Sequence, residues 1–117
     1  MSRSKWHIQR DEGALTLARS LPVRFDFSAQ VTLPRCGKLR LATQIRQDMW
    51  RLLQNLRGFS PVVRVEDAGD MLHVTAGGRM DRMPFPKGKS EDKLREMLAD
   101  RKNAIRWVTY AGKFCYE

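Results

Sequence analysis

The stretch VRFDFSAQVTLPRCGKLRLATQIRQDMWRLLQNLR, residues 23–57, changes its hydrophobic period once, and that change decides the fold. Val23, Phe25, Phe27, Ala29, Val31 and Leu33 alternate with Arg24, Asp26, Ser28, Gln30 and Thr32. A period of two sends successive side chains to opposite faces, the mark of a half-buried strand. Pro34 and Gly37 end it. From Lys38 the period lengthens to that of a helix: Leu41, Ala42, Ile45, Met49, Leu52, Leu53 and Leu56 fall within an arc of about 120°. Arg40, Gln44, Gln47, Arg51, Gln54 and Asn55 take the opposite side, while Arg46, Trp50 and Arg57 share one flank. The pattern predicts a helix over 38–57, stopped by Gly58.

Downstream, Pro61 opens a second strand, PVVRV, with Val63 and Val65 toward the core. Residues 66–70 (EDAGD) are turn formers, and residues 71–76 return as a strand with Leu72, Val74 and Ala76 inward and His73 and Thr75 outward. Gly77 and Gly78 close this hairpin. GGRMDRMPFPKGK then reads as a loop, followed by a helix over 90–103 with Ser90 as N-cap and Leu94, Met97, Leu98 and Ile105 on its apolar side. Residues 104–110, AIRWVTY, are β-branched and aromatic and predict a last strand, with continuation of the helix to Trp107 as the competing reading.

The expected order is therefore β-α-β-β-α-β. It makes an α+β, two-layer ferredoxin-like sandwich: an antiparallel sheet with two helices on one face. Residues 23–117 form the single α+β domain, and residues 1–22 an N-terminal extension in which GALTLARSL is either a short helix or an edge strand. RNA-recognition modules share this order, but here the likeness is one of architecture alone. The third strand, MLHVTA, offers His73 and no aromatic pair, and the RNP signatures are absent.

The net charge of +9 is concentrated. Arg35, Lys38, Arg40, Arg46, Arg51 and Arg57 face one acid, Asp48, within residues 35–57, and Arg79, Arg82, Lys87 and Lys89 face Asp81 within residues 79–89. Residues 90–103 sum to zero. Concentrated charge builds a local field that attracts polyanions. Arginine predominates in the first segment, and its planar fork suits bidentate phosphate contact. Trp50, between Arg46 and Arg57, either stacks on an exposed base or packs at the core edge.

Other chemistries find less in the chain. It holds no nucleophile elbow, P-loop or dinucleotide fingerprint, and Gly77-Gly78 lacks the Lys-Ser/Thr that would complete a phosphate loop. Asp26 and Glu66 could form an acid–base pair on one sheet face, but Arg24 and Arg64 on the same face are their expected partners. His7, His73, Cys36 and Cys115 lack zinc-site spacing, so no metal or cofactor is expected. Cys36, near Arg35 and Lys38, is either a thiol of lowered pKa or an incidental small residue.

Two cysteines make no disulfide framework, no apolar run approaches the roughly 20 residues of a membrane span, and MSRSKWHIQRDEG lacks an apolar signal core. The expectation is a non-catalytic cytoplasmic protein, nucleic-acid-associated or regulatory, binding RNA or DNA phosphates through the helix and the basic loop. The alternative is a dimeric protein-interaction or small-ligand module using the open sheet face: Arg24, Ser28, Arg64, His73 and Arg106.

Overall fold

The structure, a computed structural model, describes residues 6–112. Five strands, β1 (His7–Asp11), β2 (Ala14–Ala18), β3 (Phe27–Pro34), β4 (Phe59–Ala68) and β5 (Met71–Met80), form one antiparallel sheet in the order β1-β2-β4-β5-β3. Helix α1 (Lys38–Leu53) links β3 to β4, and α2 (Lys87–Ala99) and α3 (Arg101–Gly112) follow β5. β3 and β4 each run antiparallel to β5 between them, so they are parallel to one another and α1 is their crossover. This β3-α1-β4-β5 part is the split βαβ expected from the change of period.

The ferredoxin-like order is not reached. Its last strand would come from residues 104–110, but these lie within α3, where Trp107 and Ala111 are fully buried. The type of residue argued for a strand; the spacing Ala104, Trp107, Val108, Ala111 is helical, and packing against α1 and α2 decides the matter. The remaining strands come from the front of the chain. β2 is interior, paired to both β1 and β4, and all five of its residues are buried.

The long crossing from β2 to β3 passes the ends of β4 and β5. Arg19 N–H donates to the Pro61 carbonyl at 3.0 Å and Asp26 N–H to that of Gly78 at 2.8 Å. Arg79 Nη1 donates to the carbonyls of Leu21 (3.2 Å) and Pro22 (3.4 Å) above the sheet.

All three helices cover one face. Leu41, Ile45 and Met49 of α1, Leu94 and Leu98 of α2 and Trp107 of α3 meet Leu15, Leu17, Val63, Val65, Leu72 and Val74 of the sheet. The inward and outward parity expected for β4 and β5 holds. Several boundaries shift. β3 begins at Phe27, because Asp26 turns back to accept the Met80 N–H at 2.7 Å. α1 ends at Leu53, and Leu52, expected on its apolar side, is exposed. Gly77 and Gly78 lie inside β5 rather than ending the hairpin.

Ser90, expected to cap the second helix, is a buried residue within α2, which starts at Lys87 after Pro86. The helix expected over 90–103 is broken at Asp100, whose extended backbone ends α2 and whose Oδ1 accepts the Lys102 N–H at 2.9 Å, capping α3. Ile105 then faces solvent. From α2, Glu91 Oε2 accepts the Ser28 N–H at 3.0 Å, satisfying a donor on the outer edge of β3.

Candidate nucleic-acid interface

The two basic segments are sorted by their partners. Arg35 Nη2 and Lys38 Nζ both reach Asp67 Oδ1, at 2.6 and 2.9 Å, binding the start of α1 to the β4–β5 turn. The Lys38 ammonium, then the Arg35 guanidinium, hold the Asp67 carboxyl below its ordinary pKa. Arg51 lies 3.6 Å from Asp48, and Arg40 is half-buried and engaged. Arg79 pairs with Asp81 at 3.0 Å while pinning the Leu21–Pro22 crossing. These cations are largely spent on the fold itself.

Arg57, Arg82, Lys87 and Lys89 are different: all are exposed, and none has an ion pair among the described residues. They converge. Asp81 N–H donates to the Gly58 carbonyl at 2.9 Å, and the Arg82 backbone and Cγ lie against Gly58, next to Arg57. Lys89 and Lys93 line a shallow cleft with Leu52, Asn55 and Leu56 of α1 and its following turn. The end of the first segment and most of the second thus form one cationic region around the C-terminal end of α1. Lys93 joins it unexpectedly, although its place one helical turn after Lys89 was legible.

Beside this region is a cavity of about 540 Å³ lined by Trp6, Arg19, Ser20, Arg46, Trp50, Phe59, Ser60 and Pro61. Its parts come from four segments. The Arg19–Pro61 hydrogen bond carries β2's extension alongside the start of β4, bringing the Ser20 and Ser60 hydroxyls to 3.3 Å. α1 crosses β4 and β2, so Arg46 and Trp50, one turn apart, overhang that junction. The Arg46 guanidinium sits 4.4 Å from the Trp6 ring centroid, and Arg19 lies 5.9 Å from it. Trp50 and Phe59 are nearly parallel, 14° between planes and 6.4 Å between centroids, and Trp50 remains 47% exposed.

Arg46 is the unusual member. Its Nε is buried with no hydrogen-bond partner, and burial pushes its guanidinium pKa down. No carboxylate lies within ion-pair reach of it among the described residues. A partly desolvated, uncompensated cation attracts an anion more strongly than an exposed one, because less solvent screens it. Aromatic rings, two guanidinium groups and two hydroxyls therefore suit an anion that carries a flat ring. Sequence reasoning placed Arg46 and Trp50 on one flank; Trp6, Arg19, Ser20, Phe59 and Ser60 carried no signal linking them to it.

Of the alternative sheet-face set, Ser28, Arg64 and His73 lie on β3, β4 and β5 with the same parity, while Arg24 and Arg106 lie off the sheet. Arg24 pairs with Asp26 at 2.9 Å off the end of β3, and Arg106 lies on α3, where it binds Asp48. Arg64 donates to Thr16 Oγ1 at 2.9 Å and lies 3.6 Å from both Glu66 and Asp11. Ser28 and His73 sit on β3 and β5, in different cross-strand rows, Ser28 opposite Gly77 and His73 opposite Thr32. Asp26 and Glu66 are thus each held by the arginine expected for it.

The Arg24 hydrogen bond, then the Met80 N–H, hold the Asp26 carboxyl below its ordinary value of 3.8. A depressed folded-state pKa means that the stabilisation is complete above that ordinary value and lost as pH falls through the lower folded one. Asp26→Asn is expected to flatten the loss of stability below about pH 4, read by urea unfolding across a pH series. An unchanged acid slope would show that Asp26 does not contribute to it.

Among the described residues no three of His, Cys, Asp and Glu come together as a metal site, and no helix is long and apolar enough to cross a membrane. Cys36 is a half-buried thiol outside any disulfide; Cys115 lies outside the described residues. Compared with protein-family models, curated proteins and solved structures, the chain matches none.

Proposed function

We propose that this protein is a non-catalytic nucleic-acid-binding protein of the cytoplasm that grips the phosphate backbone with the cationic region at the C-terminal end of α1. The supporting observation is that Arg57, Arg82 and Lys89 meet around that helix end, exposed and without ion-pair partners among the described residues. Like charges gathered on one surface repel one another, and phosphate relieves that repulsion while its counterions are released. Such contacts position a strand and read little sequence.

Affinity for an oligonucleotide is expected to fall steeply between 50 and 200 mM salt, with a log–log slope of about −3 if four phosphates of a single strand are neutralised. Arg82→Glu with Lys89→Glu is expected to lower affinity at least tenfold and to flatten that slope, with the thermal melt unchanged. Fluorescence anisotropy over a salt series reads both quantities. Binding that ignores salt and the double substitution would refute the proposal.

A further inference from the structure

We infer that the cavity between α1 and the β2–β4 junction holds one unstacked nucleotide of a single strand, its base against Trp50 and its phosphate on Arg46. This rests on the nucleic-acid reading and adds to it a strand class and a site. The cavity, about 540 Å³, is of the size that small-molecule sites use, so one nucleotide fits and a duplex does not. Its wall offers both halves of a nucleotide's chemistry. Trp50, half exposed and nearly parallel to Phe59, provides a flat surface on which a base can continue the stack. Arg46 provides a guanidinium held in place by the Trp6 ring at 4.4 Å and uncompensated by a carboxylate among the described residues.

The hydroxyls of Ser20 and Ser60, 3.3 Å apart, add donors and acceptors for the sugar or base edge. Continuity with the phosphate-gripping surface follows from the chain: Phe59, whose ring lies beside Trp50, comes two residues after Arg57. A strand lying along Arg82 and Arg57 can therefore turn one base into the cavity. A paired base cannot enter without leaving its stack, so duplex is disfavoured.

The test compares a twelve-nucleotide single strand with the same sequence as duplex, at one salt concentration, by anisotropy, with adenosine monophosphate as competitor. Single strand is expected to bind at least tenfold tighter than duplex. Trp50→Ala is expected to weaken the single strand about tenfold and leave duplex unchanged, with Trp50→Phe restoring most of the loss. Arg46→Gln is expected to weaken the single strand likewise. Circular dichroism melts check that each variant folds.

If Trp50→Ala leaves single-strand affinity unchanged, or weakens both forms equally, while Arg82→Glu with Lys89→Glu still weakens both, the cavity inference falls and the backbone-binding reading stands. If neither nucleic acid binds, both fall. If the monophosphate alone binds as tightly as the strand, and Trp50→Ala abolishes that binding, the cavity serves a free nucleotide and the strand assignment is overturned.

Discussion

Alanine in place of Trp107 is expected to remove about 3–5 kcal/mol of stability, the usual cost of deleting a large buried aromatic side chain. Trp107 is fully buried on α3 and is among the largest side chains in the core. It is also tethered: its Nε1–H donates to Asp48 Oδ2 on α1 at 2.7 Å, where the Arg106 guanidinium also binds. Asp48 is 13% exposed, so its charge is held by partners more than by water. Alanine opens a cavity between α1 and α3 and withdraws one of those partners.

Phenylalanine separates the two effects. It keeps most of the apolar surface but has no donor, so the expected cost of Trp107→Phe is about 1–3 kcal/mol, that of a buried acceptor losing its hydrogen bond. Chemical denaturation of both variants, with unchanged m-values, checks the ordering. A loss below about 1 kcal/mol for Trp107→Ala would mean that α3 does not pack as described, since no buried tryptophan in a close-packed core is so cheaply removed.

The same residue shows where the sequence was readable and where it misled. α1 and the β4–β5 hairpin were legible because each repeats its period long enough to show two contrasting faces. Residues 104–110 carry strand-forming types, Ile105, Val108, Thr109 and Tyr110, but the residues that reach the core, Ala104, Trp107, Val108 and Ala111, are at helical spacing, and the contact with Asp48 and the α1 core overrides local preference. β2 gave no contrast to read. Leu15 and Leu17 enter the main core while Ala14, Thr16 and Ala18 are buried on its other side, so ALTLA shows no polar face.

Charge misled in a different way. A sequence counts cations but does not reveal which ones already have anions. Asp67 occupies Arg35 and Lys38, though it lies far along the chain from both, and Asp81 occupies Arg79 two residues away. Subtracting those leaves a smaller region than the two segments implied, but a contiguous one, because the Gly58–Asp81 hydrogen bond ties them together. The cavity was less legible still. Its walls come from residues 6, 19–20, 46, 50 and 59–61, and only the placement of β2 beside β4 brings them together.

Gly77→Ala is expected to destabilise the fold by more than about 4 kcal/mol, beyond the ordinary range for a single methyl group. A Cβ at Gly77 would stand 2.1 Å from the Phe27 carbonyl oxygen and 2.8 Å from the Ser28 Cα. Both are backbone atoms of β3, so no side-chain rotation gives relief; the β3–β5 ladder itself would have to open. Gly78 is confined from the opposite side, 2.4 Å from the Ser60 carbonyl oxygen and 2.6 Å from Phe59 Cε1. The pair therefore marks a place where β5 is squeezed between its two neighbours, and phosphate binding has no part in explaining it.

Gly88→Ala supplies the control. Nothing lies within 4 Å of where a Cβ would stand, and alanine in α2 is expected to be neutral or to stabilise by up to about 1 kcal/mol. The two strand glycines should also differ in where the damage appears. Gly77→Ala loosens β3, which hydrogen exchange would detect as lost protection at residues 27–31. Gly78→Ala displaces Phe59 and Ser60, two walls of the cavity, and should weaken single-strand binding before it unfolds the protein. Equal stability of Gly77→Ala and Gly88→Ala would mean that β3 does not approach β5 as closely as this register requires.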